Sequence, residues 1–141
     1  MDNQDPYASV EKFVSDFLDL LHTVVGEQVS RLEDMGVSAD LSSGFDCSLI
    51  CYVLSTLIKR SKLMCYSEIS EAIREDTDWT LVEEFARKHQ LRAQVLRTDS
   101  LTPFASELDL NLVSRRPSQL FKAQLYESNK IIAKDGFIVR F

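Results

Sequence analysis

Apolar positions over residues 10–32 recur at spacings of three and four. Val10, Phe13, Val14, Phe17, Leu18, Leu21, Val24, Val25, Val29 and Leu32 make a single stripe, which predicts an amphipathic helix of about eight turns. Asp5 can cap this helix, Pro6 suits its first position, and Gly36 after Met35 is a natural stop. Gly26 is a place for the helix to bend or split. A stripe this wide has to be covered, by the rest of the domain or by a partner.

Residues 37–45, Val-Ser-Ala-Asp-Leu-Ser-Ser-Gly-Phe, read as a polar loop. A second helix follows, capped by Asp46 or Ser43. Cys47, Ile50, Cys51, Leu54, Leu57 and Ile58 share one face, and Leu49 and Val53 widen it, so this helix is expected to be central. Lys59, Arg60 and Lys62 favour its C-terminal end, where cations meet the negative end of the helix dipole. Ser67 opens a short helix from Glu68 to Arg74. Thr80-Leu81-Val82-Glu83 has the form of a capping box, with a helix running from it to about Gln90.

The period then changes. Leu91, Ala93 and Val95 alternate with Arg92, Gln94 and Leu96, the pattern of a strand; Leu108, Leu110 and Leu112 alternate with Asp109, Asn111 and Val113 and predict a second. Ser114-Arg115-Arg116-Pro117 is a turn, and residues 118–126 suit a helix or a strand. Lys130–Ala133, then Asp135-Gly136, then Phe137–Phe141 reads as a hairpin, because Asp-Gly is a strong hairpin-turn signal. Helices come first and strands later. The expected class is therefore α+β: a helical N-terminal half with a long first and a central second helix, followed by a small, mainly antiparallel sheet ending in a hairpin, all in one domain spanning 1–141.

Composition narrows the function classes. The 141 residues carry a formal net charge of −6, which disfavours nucleic-acid backbone binding, since that affinity comes from Lys and Arg. Three cysteines are an odd number, the N-terminus lacks the basic region of a signal peptide, and no apolar run approaches the roughly 18 residues needed to span a bilayer. These features place the protein inside a cell, in the cytoplasm, with reduced thiols; a viral protein or an effector acting in a host cytosol fits them equally. Four scattered glycines build no Gly-rich phosphate loop, and no cofactor is expected.

The chemistry-bearing stretch is Gly44-Phe45-Asp46-Cys47-Ser48-Leu49-Ile50-Cys51. A thiol at the first turn of a helix has the dipole to stabilise a thiolate, so Cys47 is the candidate nucleophile. The chain has two histidines, His22 and His89, and His89 is the candidate base. The run Asp46–Leu54, with Tyr66–Ile69, Thr80–Ala86 and Leu91–Val95, resembles the nucleophile helix and following elements of papain-like cysteine peptidases of the bacteriocin-processing type, over residues 46–101. The resemblance implies a papain-like fold and, with Cys47, a thiol hydrolase. The chain departs from the family in having no histidine after His89 and no glutamine between Ser38 and Asp46, so the catalytic set is incomplete.

Other constellations are weaker. Cys47, Cys51 and Cys65 with a histidine have the composition of a zinc site, but no turn-borne Cys-x-x-Cys supports one, and no metal is assigned. Residues 67–96 can be read as a winged helix, but its recognition helix would begin with Glu83 and Glu84. Trp79, Arg115 and Arg116 are the candidate interaction residues. The sequence thus predicts a small acidic protein acting by protein–protein binding, as an adaptor, inhibitor or effector, through another protein or by self-association through the first helix, without nucleic acid or membrane. The alternative is a cysteine hydrolase or pseudo-enzyme centred on Cys47.

Overall fold

The computed structural model describes residues 9–32, 35–69, 76–97, 122–137 and 139–141. In chain order the elements are α1 (Val10–Val29), β1 (Val37–Asp40), α2 (Phe45–Leu57), a short 3-10 turn (Arg60–Lys62), β2 (Leu63–Ile69), α3 (Asp76–His89), β3 (Ala93–Arg97), α4 (Lys122–Lys134) and β4 (Val139–Arg140). The four strands form one sheet in the order β3-β2-β1-β4, and every pairing in it is parallel. The fold is α/β and Rossmann-like, not α+β with an antiparallel sheet. Helices in the crossovers are what parallel strands require, since no tight turn can join them.

Strand alternation sorts the core into two layers. Val37, Ala39, Leu41, Leu63 and Cys65 point to one face and bury against Val25 of α1, Cys51, Val53 and Leu54 of α2, and Val82 and Ala86 of α3. Tyr66 and Leu96 point to the other face and pack with Ile132 and Phe137 of the α4 region. Helices therefore cover both faces, as an all-parallel sheet demands.

The periodic helices form where the pattern puts them, with different ends. α1 runs unbroken through Gly26, and its N-cap is Ser9, whose side chain accepts from the Lys12 N–H. α2 begins at Phe45 with Gly44 as N-cap and ends at Leu57, before the cationic residues. α3 starts at Asp76, so Thr80 lies inside the helix and the capping box is not its start. Gln90, the residue after it, has a positive φ of 55°, and Leu91 N–H reaches the Ala86 carbonyl at 2.8 Å to close the last turn.

Three strand expectations are corrected. Residues 37–40 are not loop but the inner strand β1. Ser67 lies in β2 and opens no helix there. The 130–141 hairpin does not exist: Lys130–Ala133 belong to α4, and Val139–Arg140 pair parallel with β1. Asp135-Gly136 ends a helix instead of turning a hairpin. Gly136 sits at φ 90°, its N–H bonds to the Ala133 carbonyl at 3.0 Å, and Phe137 N–H bonds to the Ile132 carbonyl at 3.1 Å. That is a Schellman stop, completed by burial of Phe137 with Ile132. Both devices need a residue with positive φ, so the dipeptide signals either. The expected strand at 108–113, the turn at 114–117 and most of 118–126 lie outside the described residues.

Gly36 shows how tightly β1 is entered. A Cβ there would lie 2.7 Å from the Gly136 carbonyl oxygen and 3.1 Å from Phe137. Backbone cannot yield cheaply, so Gly36→Ala is expected to lower unfolding stability by about 1–3 kcal/mol, measured as a shift in denaturant midpoint.

Candidate phosphate-binding loop

The chain leaves β1 and turns through Leu41-Ser42-Ser43-Gly44 into α2. Leu41 N–H still bonds to the Tyr66 carbonyl at 2.8 Å, extending the β1–β2 ladder by one step. Ser42 then organises the turn. Its hydroxyl accepts from Gly44 N–H at 3.2 Å, and its carbonyl accepts from the Ser48 hydroxyl at 3.0 Å. The loop is thereby tied to the first turn of the helix it precedes.

At α2 the first intrahelical bond runs from Ser48 N–H to the Gly44 carbonyl, 3.3 Å. Gly44 makes no side-chain cap bond, so the N–H groups of Phe45, Asp46 and Cys47 have no acceptor within the helix. Three aligned amides at the positive end of a helix dipole form a ready anion seat. The seat lies at the carboxyl edge of the sheet. From β1 the chain steps outward to β2 and β3, then returns to β4 on the other side of β1. The strand order reverses between β1 and β4, which is where open parallel sheets bind ligands.

A charged cluster underpins this edge on the α4 face. Arg140 Nε donates to Asp40 Oδ1 at 2.8 Å, its terminal nitrogens to Glu68 Oε1 at 2.8 Å and to Asn129 Oδ1 at 3.1 Å. One guanidinium thus holds the last residue of β1, the upper part of β2 and α4 together. Such forked, charge-assisted bonds fix geometry as well as charge. Sequence reading missed Arg140, Glu68 and the loop itself; the available signal was a small, polar run ending in glycine between a short alternating segment and an apolar helix.

The sequence-predicted site residues do not converge. Cys47 lies in the first turn of α2 at the carboxyl edge, partly buried. His89 ends α3 and leads into β3, so the topology sends it to the amino edge. Its ring rests on Phe85 (centroids 4.4 Å apart) and edge-on to Tyr52 (5.2 Å). No hydrogen bond joins Cys47 to His89 among the described residues. His22 Nδ1 lies 3.5 Å from the Thr56 hydroxyl. Trp79 is inside α3, partly buried against the core. Arg115 and Arg116 lie outside the described residues.

The other two thiols are core. Cys51 and Cys65 are free and buried, and Cys51 Sγ donates to the Asp40 carbonyl at 3.3 Å. Among the described residues no group of three or more His, Cys, Asp or Glu side chains is arranged to hold a metal ion.

No family model matches the sequence, and no curated protein does. Solved structures do match. The NH3-dependent NAD synthetase from Campylobacter jejuni, solved with a nitrate ion, superposes with a TM-score of 0.62 at 16% identity, over 87% of this chain and 53% of that one. The glutamine-dependent NAD+ synthetase from Acinetobacter baumannii, in complex with ADP, gives 0.61 at 17% identity, over 87% of this chain and 24% of that one. The U34-tRNA thiolase from Methanococcus maripaludis, which carries a [4Fe-4S] cluster, gives 0.58 at 16% identity, over 89% and 43%. The chain spans about half the length, or less, of each. The likeness shows the fold, a Rossmann-like α/β fold with a parallel sheet. It overturns the papain-like resemblance and the thiol hydrolase built on it. These neighbours are enzymes, which also counts against an adaptor, inhibitor, effector or viral protein.

Burial of Cys51 next to Cys65 has a measurable consequence. The hydrogen bond with Cys65, then burial, hold the Cys51 thiol above its ordinary range. The folded state keeps the proton while the unfolded chain loses it near pH 8.5. The contribution of Cys51 to stability is therefore full below that pH and falls as pH rises beyond it, while Cys65, whose thiol the same contact pulls below its ordinary range, acts in the opposite sense. Cys51→Ala is expected to remove the falling contribution, so that unfolding midpoints decline less, or rise more, between neutral pH and pH 10 than in the wild type.

Proposed function

We propose that this chain is the nucleotide-binding part of a PP-loop ATPase-type enzyme. It takes ATP at the carboxyl edge of the sheet, with the phosphates on the loop Leu41–Gly44 and against the amides of Phe45, Asp46 and Cys47. The observation that carries this reading is the uncapped start of α2, placed where the strand order reverses. ADP in the structure of the Acinetobacter neighbour supports it.

The residues divide the work in a definite way. Gly44 supplies no oxygen of its own, so it leaves the amides to the ligand. Ser42 and Ser48 hold the loop in place before the ligand arrives, so little ordering cost falls on binding. Amides aimed at a pyrophosphate group also stabilise the charge that grows on it when its bond to the rest of the nucleotide breaks. Cys47 serves through its backbone N–H, and its thiol has no chemical part in this reading. No helix among the described residues is long and apolar enough to cross a membrane; with three free thiols, a reducing cytoplasm is the compartment we propose.

Replacing Gly44 with an acceptor separates binding from folding. In Gly44→Asp the new carboxylate takes the α2 amides itself and repels phosphate. Calorimetric titration with ATP, ADP and pyrophosphate should show binding to the wild type and a loss of at least about tenfold in the variant, or 1.4 kcal/mol. Thermal stability should stay within a few tenths of a kcal/mol. A wild type that binds none of the three, or a variant that binds them equally well, defeats the proposal.

A further inference from the structure

Two charged residues flank the reversal of strand order, Asp40 at the end of β1 and Arg140 on β4. Arg140 is the inner member of the pair. Its side chain is 16% exposed, against 46% for Asp40 and 30% for Glu68. All three guanidinium nitrogens are engaged. Nε and one terminal nitrogen meet Asp40 Oδ1, that terminal nitrogen also meets Glu68 Oε1, and the other meets Asn129 Oδ1. A guanidinium so committed presents no open fork to a phosphate. The more open side of the cluster is carboxylate, and Asp46 in the first turn of α2 is exposed as well.

Such an edge is at odds with an anion site unless its carboxylates are answered. Asp40 lies two residues before Ser42, which organises the loop, and four before Gly44, the N-cap of α2. Four residues reach at most about 14 Å even when fully extended, and here the loop turns. A bare Asp40 carboxylate would therefore repel a phosphate seated on the α2 amides. Glu68 has interactions besides the one with Arg140. Asp40 depends on Arg140, which is the cation that pairs with its carboxylate among the described residues.

We infer that Arg140 is a positioning residue of the proposed nucleotide site. It ties the Asp40 carboxylate down on the α4 side of the sheet and cancels its charge, so that the switch-point edge accepts phosphate. Arg140 acts through Asp40 and touches no part of the ligand. Glu68 on β2 and Asn129 on α4 hold the guanidinium in the one place where it can do this. The inference rests on the nucleotide reading. Its signature is a dependence on ligand charge: an Arg140 that merely braced the fold would affect every nucleotide alike, whereas one that cancels a carboxylate affects them in order of their phosphate charge.

Calorimetric titration of the full chain with ATP, ADP and AMP separates the two roles. Arg140→Met should bind ATP at least about tenfold more weakly than the wild type, with a smaller loss for ADP and the smallest for AMP. That loss should shrink as salt is raised from about 0.05 to about 0.5 M, because screening weakens the repulsion. Adding Asp40→Asn to Arg140→Met should return ATP affinity to within about threefold of the wild type. Asp40→Asn alone keeps an oxygen for Arg140; it should tighten ATP several-fold and leave AMP within about twofold, and it serves if Arg140→Met unfolds. An equal loss for all three nucleotides in Arg140→Met, a loss that Asp40→Asn does not repair, or an Asp40→Asn chain that binds ATP no more tightly than the wild type overturns the inference and leaves the nucleotide reading standing. A wild type that binds none of the three overturns that reading, and this inference with it.

Discussion

Strand β1 is four residues long and has neighbours on both edges, so its peptide groups must be matched on both sides. β2 pairs with it from Val37↔Leu63 to Asp40↔Tyr66, and β4 from the other side at Val37↔Val139 and Ser38↔Arg140. Unmatched, each buried amide or carbonyl would cost on the order of 1–3 kcal/mol. The strand's own polar side chains are matched too. The buried Ser38 hydroxyl donates to the Val139 carbonyl at 3.0 Å, and Asp40 is held by Arg140. Remote parts of the chain, residues 36–41, 63–69 and 139–141, are brought together by that one requirement.

Parallel pairing has a further effect. Each strand ends at the same edge, so the segments that follow β1 and β2 collect there, and the C-terminal ends of α2 and α3 collect at the other. α2 consequently starts at the carboxyl edge with its amides outward, while α3 delivers His89 to the amino edge. The same Gly-Phe-Asp-Cys entrance suits a thiolate or a phosphate, because a helix N-terminus favours either anion. Topology supports the phosphate reading proposed for this loop. It withholds an imidazole from Cys47 and places the entrance beside the switch point of the sheet.

Much of the helical content was legible. The stripe over residues 10–29 and the apolar run from Phe45 to Leu57 have periods that only a helix satisfies, and both helices are there. Ala93–Arg97 was also legible as a strand, though its direction was not, since alternation is the same in parallel and antiparallel sheets. β1 was illegible. An inner strand of a parallel sheet is usually an unbroken apolar run, whereas Val-Ser-Ala-Asp reads as a turn until Ser38, Asp40 and their distant partners are seen together. The loop after it vanished with it, because Ser42-Ser43-Gly44 means little unless a strand precedes it.

The sequence by itself determined local facts: which segments are helical, which face of each is apolar, and where positive φ is affordable, as at Gly136. These depend on neighbours within one or two turns. Tertiary structure decided what those facts were for. Whether Asp-Gly ended a helix or turned a hairpin, which way the strands ran, and at which edge of the sheet α2 began depended on pairings between residues 101 positions apart and more, as with Ser38 and Val139. Hydrogen bonds and burial at that range leave no period in the chain.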